Sequence, residues 1–148
     1  MAKFSQEALK LILRYGMGCI PEEKREKAKE AIFGNCTEEL VKELLPEACQ
    51  NLEALVPNEI KENHVRKYFL DLHTKIASIT EKMNCTAFKA KIIKSYGDEC
   101  VVVYNNRTEK VKCLEKFDVG DVVIVHRSYV VEKYDENLHA WQSFVEKR

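Results

Sequence analysis

Between Met83 and Tyr134 the chain is a series of short β-rich runs punctuated by turn pairs, a pattern that few folds accommodate. In Phe88-Lys89-Ala90-Lys91-Ile92 apolar residues alternate with lysines, as a strand with one face on a core and one in water requires. Ser95-Tyr96-Gly97-Asp98 turns the chain, and the β-branched run Cys100 to Tyr104 follows. Asn105-Asn106 is a two-residue hairpin signal, because asparagine tolerates positive φ, and the returning strand Thr108 to Cys113 places Val111 and Cys113 on one face. Val119-Gly120-Asp121 opens Val122-Val123-Ile124-Val125-His126, apolar on both faces and therefore central. Tyr129-Val130-Val131 is a last strand, and a polar helix around Glu136 to Lys147 buries Leu138, Trp141 and Val145. Strands this short hide their edges by closing on themselves, which predicts a small antiparallel barrel.

The first half reads as helices. Ser5 caps a segment with Ala8, Leu9, Ile12 and Leu13 on one face, and the glycines of Tyr15-Gly16-Met17-Gly18 end it. Pro21 begins a second helix, with Glu22, Glu23 and Glu26 in its first turns, and Gly34 closes it. Thr37 starts a third, interrupted at Pro46. Asn58 caps the longest, from about Glu59 to Lys82, with an apolar seam of Val65, Phe69, Leu72, Ile76, Ile79 and Met83. Such a seam packs within a bundle. The expected organisation is a helical bundle over residues 1–82, used for docking, and a β-barrel with a terminal helix over 83–148, an α+β chain of two domains.

Charge and cysteine usage narrow the function. With 24 basic and 24 acidic residues spread through both halves, no long-range field draws in nucleic acid or anionic lipid. No apolar run approaches a membrane span, and Met1 to Gly16 has charges where a signal peptide needs an apolar stretch, so a cytoplasmic protein without a membrane partner is expected. Six cysteines (19, 36, 49, 85, 100 and 113) lie far apart with no CxxC pair, which is poor evidence for disulfides or structural zinc and fits buried thiols. His64 and His73 are nine residues apart on one predicted helix, which puts them on different faces, and make no metal pair.

The segments Cys85-Thr86-Ala87-Phe88-Lys89-Ala90-Lys91-Ile92-Ile93, Val119-Gly120-Asp121-Val122-Val123-Ile124-Val125-His126 and Glu132-Lys133-Tyr134-Asp135-Glu136 are together similar to a known pattern. The stretch from Met83 to about Asn137 resembles the HypC/HupF family of [NiFe]-hydrogenase maturation chaperones, in which a Met-Cys start precedes a first strand and a Val-Gly-Asp turn leads to a strand ending in histidine. The resemblance implies an OB-like barrel and a non-enzymatic accessory or assembly chaperone. Its partners would be a HypD-like maturation protein or a metalloenzyme large-subunit precursor, and an iron fragment with CN and CO ligands would be carried transiently. It also implies Cys85 and His126 as the metal-binding pair, with Cys85, Phe88, Lys89, His126, Arg127 and Tyr129 as the partner-binding set. The chemistry is sound from first principles: a thiolate is a soft, strong ligand for low-spin iron, and a neutral imidazole beside it can ligate, hydrogen-bond the thiolate or accept its proton.

The chain also departs from the family pattern. Cys85 is internal, preceded by Asn84, so it offers sulfur without a terminal amine. Lys89 stands where the family has proline, and Arg127-Ser128-Tyr129 where a small residue, Gly and Phe are usual. The alternative is a metal-free protein-interaction or oligonucleotide-binding barrel, with Tyr96, Tyr104 and Tyr129 for stacking, which the balanced charge disfavours. Catalytic thiol chemistry lacks a visible oxyanion loop and a third orienting residue.

Overall fold

The computed structural model describes residues 3–73 and 87–139, and the chain divides into two units, Met1–Phe69 and Leu70–Arg148. The fold is mixed α+β. The boundary expected between residues 82 and 83, the later seam positions Ile76, Ile79 and Met83, and Trp141 lie outside the described residues.

In the first unit Ser5 acts as its place predicts: its Oγ accepts from the Ala8 N–H at 3.1 Å and starts α1 (Gln6–Gly16). The apolar face of α1 is buried, and Tyr15, fully enclosed, stacks on Phe69 with centroids 5.1 Å apart. Gly16 has a reason beyond stopping the helix: a Cβ there would come within 2.4 Å of Leu45 Cδ1, so the position is held open for that side chain. A 3-10 turn (Met17–Cys19) follows, and Arg25 Nε donates to the Ile20 carbonyl at 2.9 Å. The second helix, α2 (Arg25–Ile32), begins four residues after Pro21, beyond a further 3-10 turn, Glu22–Lys24. Thr37 Oγ1 caps α3 (Glu38–Leu44), and Pro46 becomes the first residue of α4 (Pro46–Leu55), where its missing N–H costs nothing.

The long helix expected from Glu59 starts later. Glu59–Ile60 instead forms β2, which pairs in parallel with β1 (Lys3–Phe4), a non-local match that local periodicity does not report. Helix α5 (Glu62–Lys67) follows, with the Lys61 N–H donating to His64 Nδ1 at 2.9 Å, and runs into a π-helical turn, Tyr68–His73. His64 is thus a cap. Among the described residues no helix is long and apolar enough to cross a membrane.

The second unit contains a closed five-stranded barrel: β3 (Phe88–Tyr96), β4 (Glu99–Tyr104), β5 (Arg107–Cys113), β6 (Val122–His126) and β7 (Tyr129–Lys133), ordered β3-β4-β5-β7-β6. Neighbours are antiparallel except β5 and β7, which pair in parallel at Lys112↔Tyr129 and Cys113↔Val130. An odd number of strands makes this necessary, because directions cannot alternate all the way round a closed ring of five. Asn105 and Asn106 both take positive φ (47° and 61°) and set Tyr104 opposite Arg107, the hairpin their sequence predicts. The interior is filled by Phe88, Ala90, Ile92, Cys100, Val102, Val111, Cys113, Phe117, Val123, Val125 and Val130. A short helix, α6 (Glu136–His139), follows β7.

The Val119-Gly120-Asp121 turn closes the barrel on β3. The Gly120 N–H donates to the Ile92 carbonyl (2.8 Å), the Ile92 N–H to the Asp121 carbonyl (2.9 Å), and Asp121 Oδ2 accepts from the Asp118 N–H (2.9 Å). Gly120 has φ +97°, and a Cβ there would meet no heavy atom within 4 Å. The cost of Gly120→Ala is therefore backbone strain alone, about 1–2 kcal/mol, read as a lower urea midpoint at unchanged slope.

Candidate functional site

Of the three segments singled out in the sequence, the last two nearly adjoin in the chain and the first lies well before them, and their described parts are neighbours in space. They are carried by β3, β6 and β7, three consecutive strands of the barrel wall: Phe88 pairs with Val125, Lys89 with Ile124, and Ile124 in turn with Glu132. Strands β4 and β5 carry none of them.

His126 ends β6 and is fully buried. It pairs with Tyr129 across a two-residue turn, Arg127-Ser128, in which both residues take positive φ (51° and 69°). A turn of that kind favours Asn or Gly, so Arg and Ser there hold a costly backbone, and stored strain of this sort collects at functional ends of folds. The turn is anchored by the Lys112 N–H, which donates to the Ser128 carbonyl at 2.9 Å. Arg127 is half-buried, and Tyr129 is buried on the first position of β7.

At the other candidate positions the burial is equally decisive. Phe88 points into the barrel, 3% exposed, with its ring 4.3 Å from that of Tyr104, so it supports the wall from within. Lys89 faces outward, its Nζ 4.4 Å from the Tyr134 ring centroid, and Tyr134 stacks on His139 at 5.4 Å. Cys85 lies outside the described residues. Lys89 and Phe88 are thus neighbours in sequence on opposite faces, while His126, Arg127 and Tyr129 share one hairpin end.

One buried polar group is not evident from the sequence. His139, fully buried, accepts the Asp135 N–H at Nδ1 (2.9 Å), and its Nε2 lies 3.1 Å from Glu132 Oε2. The signal was Asp135, whose Oδ1 accepts from the Asn137 N–H (2.8 Å), opening a helical turn that brings a histidine four residues on back over it. His139 locks the end of β7 to α6. Among the described residues no group of three or more His, Cys, Asp or Glu is placed to hold a metal ion. No protein-family model matches the chain, and no curated protein is significantly similar to it.

Proposed function

We propose that this chain is a non-enzymatic accessory or assembly chaperone for metalloenzyme maturation of the hydrogenase type, working in the cytoplasm. Its OB-like barrel docks a HypD-like maturation protein or a large-subunit precursor, and its helical N-terminal bundle adds a docking surface. The single observation that carries this reading is that β3, β6 and β7, which hold all three resembling segments, form one continuous wall. The order of the five strands and the parallel β5–β7 closure also suit an OB-type barrel.

The antiparallel register sets Phe88 opposite Val125, so the chain enters β3 at the end where His126 leaves β6. Cys85 precedes Ala87 by two residues, and two residues reach at most about 7 Å. Cys85 is the soft donor for an iron fragment with CN and CO ligands, carried as cargo, and the donor chemistry fits low-spin iron. His126, enclosed at the hairpin end, serves that thiol as hydrogen-bond partner or proton acceptor rather than as an open coordination position.

A second reading has one observation in its favour. Lys91, Lys94, Lys110 and Lys112 are all exposed on the outer face of the β3–β4–β5 wall, where an oligonucleotide would lie.

Anaerobic affinity capture of the full chain from its host, with identification of partners, iron analysis and infrared spectroscopy, tests both. The expected result is a maturation protein or hydrogenase precursor together with iron-bound CN and CO bands. Capture and iron should fall by about tenfold or more, ~1.4 kcal/mol, in Cys85→Ser while the thermal midpoint holds. Wild-type protein that brings down neither overturns the proposal. Sub-micromolar oligonucleotide binding with a steep salt dependence would establish the second reading instead.

A further inference from the structure

The barrel interior holds a pair of thiols that the proposed function does not use. Cys100 on β4 and Cys113 on β5 both point inward, 0% and 6% exposed, and their Sγ atoms are 2.9 Å apart. In register, Cys100 faces Val111, and Cys113 lies two residues further along β5, a diagonal on the same face. Diagonal positions are often too far apart to crosslink, but strand twist shortens one of the two diagonals, and the sulfur separation reports the outcome directly. Less than ~1 Å of closure reaches the bond length of about 2.05 Å. Both belong to the apolar cluster that fills the barrel, together with Ile92, Val102, Val111 and Val130.

We propose that Cys100 and Cys113 are a modification site, an intramolecular disulfide formed across β4 and β5 by a small peroxide. The Cys100 thiolate, which a hydrogen bond from the Cys113 S–H favours, attacks a peroxide oxygen, the O–O bond breaks, and with the released proton taken up a sulfenic acid and one water result. Cys113 sulfur then attacks the sulfenic sulfur, the S–O bond breaks, and a second water leaves. Two thiols and one hydrogen peroxide thus give one disulfide and two waters; the sulfurs lose two electrons and the peroxide gains them. Burial pushes both thiols up from their ordinary range, so the thiolate is scarce and the reaction with peroxide is slow at neutral pH. Of the remaining described cysteines, Cys19 is exposed, and Cys36 and Cys49 are buried in the helical unit.

The test uses the full chain, reduced, freed of reductant and treated with hydrogen peroxide at neutral pH, then alkylated in denaturant and cleaved after lysine and arginine. Cleavage at Arg107, Lys110 and Lys112 separates the two cysteines, so the crosslink appears as a linked peptide pair. The expected result is that pair, two hydrogens lighter than its thiol components, accounting for most of the Cys100 and Cys113 lost and reversed by dithiothreitol. In Cys100→Ala it should vanish and Cys113 should remain alkylatable. The proposal is overturned if both residues stay alkylatable after Cys19 has oxidised, if they go separately to sulfinic acid, or if they link to other cysteines. Should the alanine variant fail to fold, the wild-type peptide map decides by itself.

Discussion

Replacing Phe88 with alanine is expected to destabilise the barrel by about 3–4 kcal/mol, while Lys89→Ala, one residue further on, costs under ~1 kcal/mol. Phe88 is 3% exposed and packs on Tyr104 within the barrel core, so its removal loses both transfer free energy and a filled volume that rigid strands cannot collapse into. Lys89 gives up only an exposed cation–π contact with Tyr134. Against a typical total of about 5–15 kcal/mol, the first loss leaves a visibly weakened domain and the second does not. Urea unfolding of the full chain, followed by far-ultraviolet circular dichroism, measures both. Equal and small effects would mean that Phe88 is not a core residue and would return it to the docking surface.

The strands were legible because their information is local. Alternation in Phe88 to Ile92 and the Asn105-Asn106 turn fix both the elements and their register, and once Tyr104 is opposite Arg107 the diagonal placement of Cys100 and Cys113 follows by counting. The contact between the two sulfurs does not follow, since it depends on sheet twist and on side-chain rotamers that spacing leaves free. In the helical unit the failures share one cause. Glu59–Ile60 reads as the start of a helix until Lys3–Phe4 arrives beside it, and Gly16 reads as a helix stop until Leu45 fills the space a Cβ would need. Both are set by residues distant in the chain. At the candidate site the position of His126 at the end of an apolar strand was readable, whereas its complete burial and the strained Arg127-Ser128 turn beside it are products of barrel closure.

Raising the pH from 9 toward 12 should unfold the protein. Burial pushes the Cys49 thiol up to about 12 from an ordinary value of 9.0, and partial burial with donation to Glu109 at 2.7 Å pushes the Tyr104 hydroxyl up to about 12 from 10.0. Burial moves Cys36, Cys100 and Cys113 in the same direction. In each case the folded chain keeps a proton that the unfolded chain gives up. The stabilising contribution is therefore complete below the unfolded value and is lost as pH climbs through the folded one. The limiting slope is about 1.4 kcal/mol per pH unit for each such group, so Cys49 by itself accounts for up to ~4 kcal/mol across its window. That is comparable with the whole stability of a small domain, and the other raised groups add to it. The exposed Lys42–Glu38 pair, at 3.0 Å, changes the balance little. Urea midpoints at pH 8, 9.5 and 11, taken with reductant present, should fall steeply in the wild type and less steeply, by about one proton, in Cys49→Ala. A midpoint that stays level from pH 9 to 11 would show that these thiols ionise as freely in the folded chain as in the unfolded one, and the tight enclosure of Cys49, 1% exposed, would be the first feature to abandon.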